Sequence, residues 1–279
     1  MTCLFVEQLT VIDCALLDAR RGLVGESWIV DLELEGELDE QSMVLDFGEV
    51  KRRLKRAIDD SADHSLLVPL RAGELSLHDA GDAVELEWKS ARGAIEHRSP
   101  SSAVTLLDAE QVDAAAVVRQ LQPAIAAAVP PNVASARLLL RHETIDGPWY
   151  RYTHGLRKHE GHCQRIAHGH RSRIEISVDG RRDTAQEAAW AARWTDIYLG
   201  TRADISAQRN GRLRFEYTAS EGAFALELPE AHCDLLDGDS TVERIAEHLA
   251  GGVSSTRPGQ AVLVRAYEGV QKGAVARRL

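Results

Sequence analysis

The sequence is poor in cysteine and in long hydrophobic runs. Its four cysteines, Cys3, Cys14, Cys163 and Cys233, form no CxxC pair, which argues against a disulfide framework and favours a reducing compartment. No stretch approaches the roughly 20 apolar residues that cross a bilayer, and the first residues lack the pattern of a secretory signal. We therefore expect a cytoplasmic protein with no membrane partner.

Aromatic residues and positive charge are also scarce. Aromatics make up 5% of the 279 residues against 44% hydrophobic residues overall, so the expected core is aliphatic. The formal net charge is −10, and the basic run at 51–56 lies in a helical pattern typical of a solvated helix face. Binding to a phosphate backbone needs a basic surface, so no nucleic-acid partner is expected.

The order of predicted strands and helices in the first half of the chain is repeated in the second half. The first half carries a weak strand over 4–11, an alternating strand over 28–36, a helix over 46–60, a hairpin at Gly93, a helix over 109–128 and a strand over 136–141. The second half repeats this order with a strand over 173–180, a helical segment over 188–201, a hairpin at Gly222, a helix near 245–249 and a strand over 261–267. The predicted class is α+β, with units at 1–147 and 148–279.

Histidines are concentrated in one short segment. Five of the eleven lie between His154 and His170. His168 and His170 stand two residues apart at the start of a predicted strand, so their side chains are expected on one face. His154, on the neighbouring strand, would complete three nitrogen ligands, and three ligands with one open position are typical of catalytic zinc. We therefore predict a Zn2+ site formed by His154, His168 and His170.

The same segment leaves alternatives open. Cys163 is either a thiol beside the metal or a fourth ligand that closes a structural zinc site. His159 and His162 are interpreted as loop residues. A polar loop that carries histidines without a metal is the alternative for the whole segment.

The order of the motifs resembles 6-pyruvoyl-tetrahydropterin synthase and its bacterial relative 6-carboxytetrahydropterin synthase. In the second copy the resemblance lies in His154, Cys163 and the His-Gly-His motif at 168–170. In the first copy it lies in an Asp-Phe-x-x-Val-Lys pattern at 46–51, in Asp63 and His64, and in Glu143 and Thr144. The resemblance spans nearly the whole chain, divided between the two copies.

The resemblance implies a role for each of these residues. It makes the three histidines zinc ligands, Cys163 the catalytic thiol, and Asp63 with His64 the pair that completes the site, so each site would combine both copies. Glu268, Glu143 and Thr144 are the implied pterin-binding residues, and the choice between the two glutamates stays open. A cap after a helix for Asp63 and His64, and charged strand ends for the glutamates, are the purely structural alternatives.

The first copy is predicted to have lost its metal site. Val24-Gly25-Glu26 stands where the second copy has His-Gly-His, and the first-histidine position falls near Ala15. An apolar and an anionic side chain do not replace two imidazoles in a three-histidine site.

The resemblance also implies fold, assembly and reaction. The fold is two tandem tunnelling-fold units, each an antiparallel sheet with two helices on one face, which assemble into a β-barrel homo-oligomer, with a trimer of tandem chains favoured. The implied activity is that of a zinc-dependent lyase acting on 7,8-dihydroneopterin triphosphate or a close dihydropterin, to give a 6-pyruvoyl- or 6-carboxy-tetrahydropterin. Tetrahydrobiopterin, deazaguanine (queuosine) and folate routes all stay open.

Two other functions are weighed against this one. The first is a non-catalytic tandem protein that binds zinc and a pterin. The second is another tunnelling-fold activity, such as aldol cleavage of dihydroneopterin or a cyclohydrolase-like step. A binding protein has no need of a thiol base, so the presence of Cys163 together with Asp63 and His64 favours the synthase.

Overall fold

The computed structural model describes residues 1–79 and 81–279 and has an α+β fold. The described helices are α1 (Phe47–Ala62), α2 (Ala114–Ala128), α3 (Thr184–Arg193) and α4 (Val242–Ser255). The strands of the first half are β1 (Thr2–Asp18), β2 (Gly22–Gly36), β3 (Leu66–Pro69), β4 (Leu75–Asp79), β5 (Ala83–Ser90), β6 (Gly93–Pro100), β7 (Val104–Leu107) and β8 (Val133–Arg141). Those of the second half are β9 (Trp149–His154), β10 (His168–Val178), β11 (Arg181–Arg182), β12 (Thr195–Thr201), β13 (Ile205–Arg209), β14 (Arg212–Ala219), β15 (Gly222–Pro229), β16 (Cys233–Leu236), β17 (Val262–Tyr267) and β18 (Gly273–Arg278). No helix in these described ranges is long and apolar enough to cross a membrane.

The helices begin at polar residues that satisfy free amides of the first turn. The capping side chains belong to Asp46, Asp113, Asp183 and Thr241. A cap of this kind contributes about 1 kcal/mol to helix stability. In both halves, therefore, the capping residues set the position at which each helix begins.

Each half has its own sheet with two helices packed on one face. The first sheet has the strand order β7-β3-β1-β2-β8, and the second has the order β16-β12-β9-β10-β17-β18, with β11 beside β10. Aliphatic side chains such as Leu121 and Ile125 of α2 and Leu249 of α4 are completely buried against these sheets. The core of the first half is mainly aliphatic, as predicted, whereas the core of the second half also contains Tyr150, Tyr152, Trp190 and Trp194. Burial of these side chains is the main force that holds helices to sheets.

The predicted antiparallel sheets are present, with two parallel strands added at one edge of the sheet in each half. β1, β2 and β8 are antiparallel neighbours, as are β9, β10 and β17. By contrast, β3 and β7 run parallel to their neighbours, and so do β12 and β16 in the second half. A helix or a set of hairpin strands precedes each of these four strands and returns the chain to the same end of the sheet, as a parallel neighbour requires.

The repeated order of elements is confirmed, with one local correction. The segment 188–201 is predicted to be helical, but α3 ends at Arg193 and β12 begins at Thr195. Asp196 has a φ of 57°, which a right-handed helix does not accommodate. Ile197, Tyr198 and Leu199 are all buried, so this short strand shows neither alternation nor helical spacing, and periodicity cannot distinguish it from a buried helix.

The two halves share a third sheet of six strands, with the order β13-β14-β15-β6-β5-β4. Its central pair joins the halves, because β6 and β15 are antiparallel with His97 opposite Leu226. The two strands hold the same place in their own halves, so the pairing defines a local twofold axis. The boundary at 147–148 lies in the connection between β8 and β9 and stays a prediction.

Two glycines allow the long strands of the halves to touch. A Cβ on Gly25 of β2 would lie 2.0 Å from the carbonyl oxygen of Tyr152, and a Cβ on Gly169 of β10 would lie 2.7 Å from the Cα of Gly25. Any side chain at either position would push the strands apart. The close approach brings the histidine-bearing end of β10 against residues of the first half.

Candidate metal and catalytic site

Three buried histidines meet at the paired ends of β9 and β10. The register sets His154 opposite His168, and alternation places His168 and His170 on the same face. One ring nitrogen from each lies within 4.8 Å of the other two, and the Nε2 atoms of His154 and His170 are 3.2 Å apart. The structure thus brings together the three predicted metal ligands.

The outer nitrogens of the three rings each face an oxygen. His154 Nδ1 lies 2.9 Å from the carbonyl of Ser240, and His168 Nδ1 lies 2.9 Å from the carbonyl of Arg165. His170 Nδ1 lies 3.2 Å from Oδ1 of Asp13. Donation of the Nδ1 protons of His154 and His168 to the two carbonyls leaves each Nε2 with a free lone pair, which is the tautomer that a metal-binding histidine needs. The approach of Asp13 to His170 Nδ1 is an ion-pair contact without hydrogen-bond geometry.

This donor set fits a zinc ion. His168 Nε2 is buried and has no hydrogen-bond partner among the described residues, an arrangement that is costly unless a ligand satisfies the nitrogen. Burial lowers the pKa of His154 and of His168 well below the usual range, so both rings are neutral, as coordination requires. Three imidazole nitrogens with room for one more ligand match the catalytic pattern of zinc.

Cys163 lies beside these histidines on a short turn of 3-10 helix, His162–Gln164. Its Sγ is within 4.8 Å of a ring nitrogen of His168 and of a ring nitrogen of His64. The amide of Leu156 donates to the carbonyl of Cys163 at 2.8 Å, so the backbone of the turn is held in place. The thiol is half-buried and adjacent to the three histidines.

The hairpin of β14 and β15 fixes the other side of this turn. The hydroxyl of Tyr217 donates to the carbonyl of Gln164 at 2.8 Å, and the amide of Glu221 donates to Oε1 of Gln164 at 2.7 Å. His162, interpreted as a loop residue, has an exposed side chain whose Nδ1 lies 2.6 Å from Glu221. The third sheet therefore supports the loop that carries the thiol.

Asp63 and His64 reach the same place from the first half, directly after α1. His64 Nδ1 lies 2.7 Å from Oδ2 of Asp63, and its ring centroid is 5.1 Å from that of His168. Burial opposes a charge on His64, but interactions with Asp63 and Cys163 raise the pKa of His64 to about 10. The site therefore contains a cationic imidazole beside the thiol, and it combines both halves of one chain.

The two predicted pterin-binding glutamates lie in different surroundings. Lys272 Nζ is 3.9 Å from Glu268 and 3.3 Å from Asp13, the residue that faces His170. Glu143 instead accepts a hydrogen bond from Arg171 through its carbonyl, and Arg171 points to the opposite face of β10 from His170. Glu268 thus lies near Asp13 and His170, whereas the main chain of Glu143 contacts Arg171, and Oε2 of Glu143 is buried with no hydrogen-bond partner among the described residues.

The matching positions of the first half hold two aliphatic residues and one glutamate. Leu16 faces Val24 in the register that His154 and His168 occupy, one residue beyond the expected Ala15. Glu26 takes the place of His170 and lies 2.9 Å from Arg151. An aliphatic pair and one ion-paired carboxylate therefore stand where the second half has three imidazoles.

Sequence reasoning missed Asp13. It lies in the apolar run Val-Ile-Asp-Cys-Ala-Leu-Leu at 11–17 and carries no family motif. Its side chain is buried, and its carbonyl accepts from the amide of His64 at 2.7 Å. The one available signal was an isolated charge among residues predicted to be buried.

Comparison with known proteins agrees with this architecture. A family model described as 6-pyruvoyl tetrahydropterin synthase matches residues 18–120 and 148–278. Solved structures of 6-pyruvoyltetrahydropterin synthase from Plasmodium vivax (an E37A mutant) and Plasmodium falciparum are 16% and 14% identical to this chain; each match covers 50% of this chain and 97% of the other, with a TM-score of 0.39. None of the curated proteins matches this chain.

Proposed function

The chain belongs to the 6-pyruvoyl tetrahydropterin synthase family, whose model matches most of it in two successive segments, and on that basis we propose that it is a zinc-dependent pterin lyase. The proposed substrate is 7,8-dihydroneopterin triphosphate or a close dihydropterin, and the product is a 6-pyruvoyl- or 6-carboxy-tetrahydropterin. The proposal includes one complete site per chain, with the metal and the thiol in the second half and Asp63 with His64 in the first.

One observation carries the proposal. A ring nitrogen of His64, the Sγ of Cys163 and a ring nitrogen of His168 lie within 4.8 Å of one another, and His168 also belongs to the group of three histidines. These residues come from distant parts of the chain, and the fold brings them together. A purely structural metal site has no need of a half-buried Asp-His pair next to a half-buried thiol.

The residues divide the chemistry between them. His154, His168 and His170 would hold the zinc ion, which supplies Lewis-acid polarisation of a hydroxylated side chain when bound. Cys163, as a thiolate, is the proposed base that accepts a proton from that side chain. The positive charge of His64 favours the thiolate form of its neighbour.

Asp63 and Glu268 are assigned supporting roles. The carboxylate of Asp63 holds His64 in one orientation and stabilises its protonated form, as the carboxylate of a catalytic triad does. Glu268 would accept hydrogen bonds from the ring N–H and amino groups of a pterin, and such charge-assisted pairs set both position and specificity. Glu143 and Thr144, on the other side of β10, are the second choice for this role.

We also propose that chains associate, with a trimer favoured. Within the described residues, β17 is covered by β18, whereas β8 has a strand partner on one side only. β8 is nine residues long and its Leu139 is 53% exposed. An open edge of this length is a surface on which a strand of another copy can pair, and light scattering of the purified chain tests this directly.

The test of the function is metal content followed by turnover. Protein purified without a histidine tag is expected to contain one zinc per chain by mass spectrometry of the metal, and to convert 7,8-dihydroneopterin triphosphate. One zinc without turnover of any dihydropterin would support the binding protein instead. No zinc, even after zinc is added, would contradict the proposal.

A further inference from the structure

We propose that Asp13 is a positioning residue of the metal site and that it couples the two halves. This inference rests on the proposed function, since it concerns the same three histidines. No motif includes Asp13, and it belongs to the half of the chain that contributes none of the three metal-binding histidines.

The carboxylate of Asp13 is buried and directed at His170. Oδ1 lies 3.2 Å from His170 Nδ1 and accepts a hydrogen bond from Ser27 Oγ at 2.5 Å. Oδ2 lies 3.3 Å from Lys272 Nζ. Ser27 also accepts from the amide of Arg171 at 3.0 Å, so the carboxylate is held against the strand that carries His170.

A carboxylate in this place determines which nitrogen of His170 can bind a metal. It accepts only, so it favours a proton on Nδ1, the nitrogen that it faces, and leaves the lone pair of Nε2 for the metal. Such outer partners of metal-binding histidines change metal affinity by 10- to 100-fold when they are mutated. Ser240 and Arg165 do the same for His154 and His168 through backbone carbonyls, and the Ser240 hydroxyl lies 3.2 Å from His154 Nδ1. Asp13 is therefore the carboxylate among the three partners.

The backbone of Asp13 reaches the other part of the site. Its amide donates to Oδ1 of Asp63 at 2.8 Å, and its carbonyl accepts from the amide of His64 at 2.7 Å. One residue therefore contacts a metal ligand through its side chain and the Asp-His pair through its main chain. A substitution that alters only the carboxylate separates the first role from the second.

The local twofold axis supplies an internal comparison. By strand register, Arg151 matches Asp13 and Glu26 matches His170, and Arg151 with Glu26 forms the corresponding contact at 2.9 Å. A contact at this position is thus present at both symmetry-related places, with an acidic residue from β1 in one and a basic residue from β9 in the other. Asp13 faces His170, and Arg151 faces Glu26, which stands where the first half has no histidine.

Asp13→Asn is the direct test. The amide has the same shape but can donate to His170 Nδ1, which would move the ring proton to Nε2 and block coordination. We expect the zinc dissociation constant, measured by competition with a chelator, to rise 10- to 100-fold, with circular dichroism and melting close to wild type. Asp31→Asn is the matched control, since Asp31 is a carboxylate of the adjacent β2 that pairs with Arg141 at 2.6 Å; its zinc affinity should stay within twofold of wild type.

Two further measurements keep the test decisive. Asp13→Glu keeps the carboxylate and should recover most of the affinity. In the zinc-loaded wild-type protein, nitrogen NMR should show the His170 proton on Nδ1 and the metal on Nε2, and this measurement needs no variant. Wild-type affinity in Asp13→Asn, or the proton on Nε2 in wild type, would overturn the role of Asp13 while leaving the zinc site intact. A wild-type chain that binds no zinc would overturn both proposals.

Discussion

His64 and Asp196 occupy the same position in the two halves of the chain. His64 lies just before β3 and Asp196 is the second residue of β12, the strands that run parallel to the first strand of each half. Their φ values are both positive, at 52° and 57°. His64 lies against Cys163 and His168, whereas the buried Asp196 forms an ion pair with the partly exposed Arg21. The same backbone conformation thus serves a candidate catalytic residue in one half and a structural contact in the other.

Replacement of Cys163 by alanine should separate catalysis from binding. We expect kcat to fall by about 10²- to 10⁴-fold, the usual contribution of a positioned base, while zinc affinity stays within a few-fold of wild type. Steady-state turnover and metal competition provide the two readouts. Cys233→Ala, in β16, is the control and should retain normal turnover. A parallel loss of zinc in Cys163→Ala would identify Cys163 as a metal ligand instead.

Mixing two inactive variants tests whether the site forms within one chain. His64→Asn and Cys163→Ala each damage a different half of the site, and both halves belong to the same chain. If the variants are unfolded together and refolded, no activity should return. Recovery of about a quarter of wild-type turnover would show that the Asp-His pair of one chain serves the thiol of another.

His97 should make the stability of the protein depend on pH below neutrality. Burial lowers the pKa of His97 to about 4 from 6.5. The unfolded chain therefore takes up a proton between these values while the folded chain does not, so stability is lost as pH falls from 6.5 to about 4, by up to about 3 kcal/mol. Chemical unfolding of wild type and His97→Gln in the presence of a chelator measures the difference. His159→Gln, at an exposed histidine, should keep the wild-type pH dependence.

The contact between β2 and β10 should be intolerant of a single methyl group. A Cβ at Gly25 would lie 2.0 Å from the carbonyl oxygen of Tyr152, so Gly25→Ala should lower the free energy of unfolding by about 3 kcal/mol and weaken zinc binding as well. Gly251→Ala in α4 is the control, since its Cβ would meet nothing within 4 Å. It should be neutral or stabilising by up to about 1 kcal/mol. Equal stability of the two variants would contradict the close packing of the halves.

Local patterns were enough to predict most of the elements. The alternation of Val30, Leu32 and Leu34 corresponds to β2, and the helical spacing of Val50, Leu54 and Ile58 corresponds to α1. The pairing of β6 with β15 was not predictable, because nothing in either hairpin specifies a partner more than a hundred residues away. Register between distant strands depends on packing that a local pattern does not record.

The residues of the candidate site also fall into those that the sequence predicts and those that it does not. His154, His168 and His170 were predictable because their spacing and the strand period place them on one face. Asp13 was not, since its role depends on the approach of β1 to β10 across the local axis. The proximity of Asp63 and His64 to Cys163 was expected from the resemblance, and the intramolecular path by which they meet is visible only in the folded chain.

The short connection at 142–148 between β8 and β9 has a consequence for how the protein behaves at low abundance. Two halves joined by a short tether meet at an effective concentration in the millimolar range. The half that carries the three histidines and the half that carries Asp63 and His64 therefore stay together at any dilution, whereas a site shared between separate subunits is lost when those subunits dissociate. Specific activity per chain should accordingly be constant down to nanomolar protein, provided the association of chains is not itself needed to shape the site.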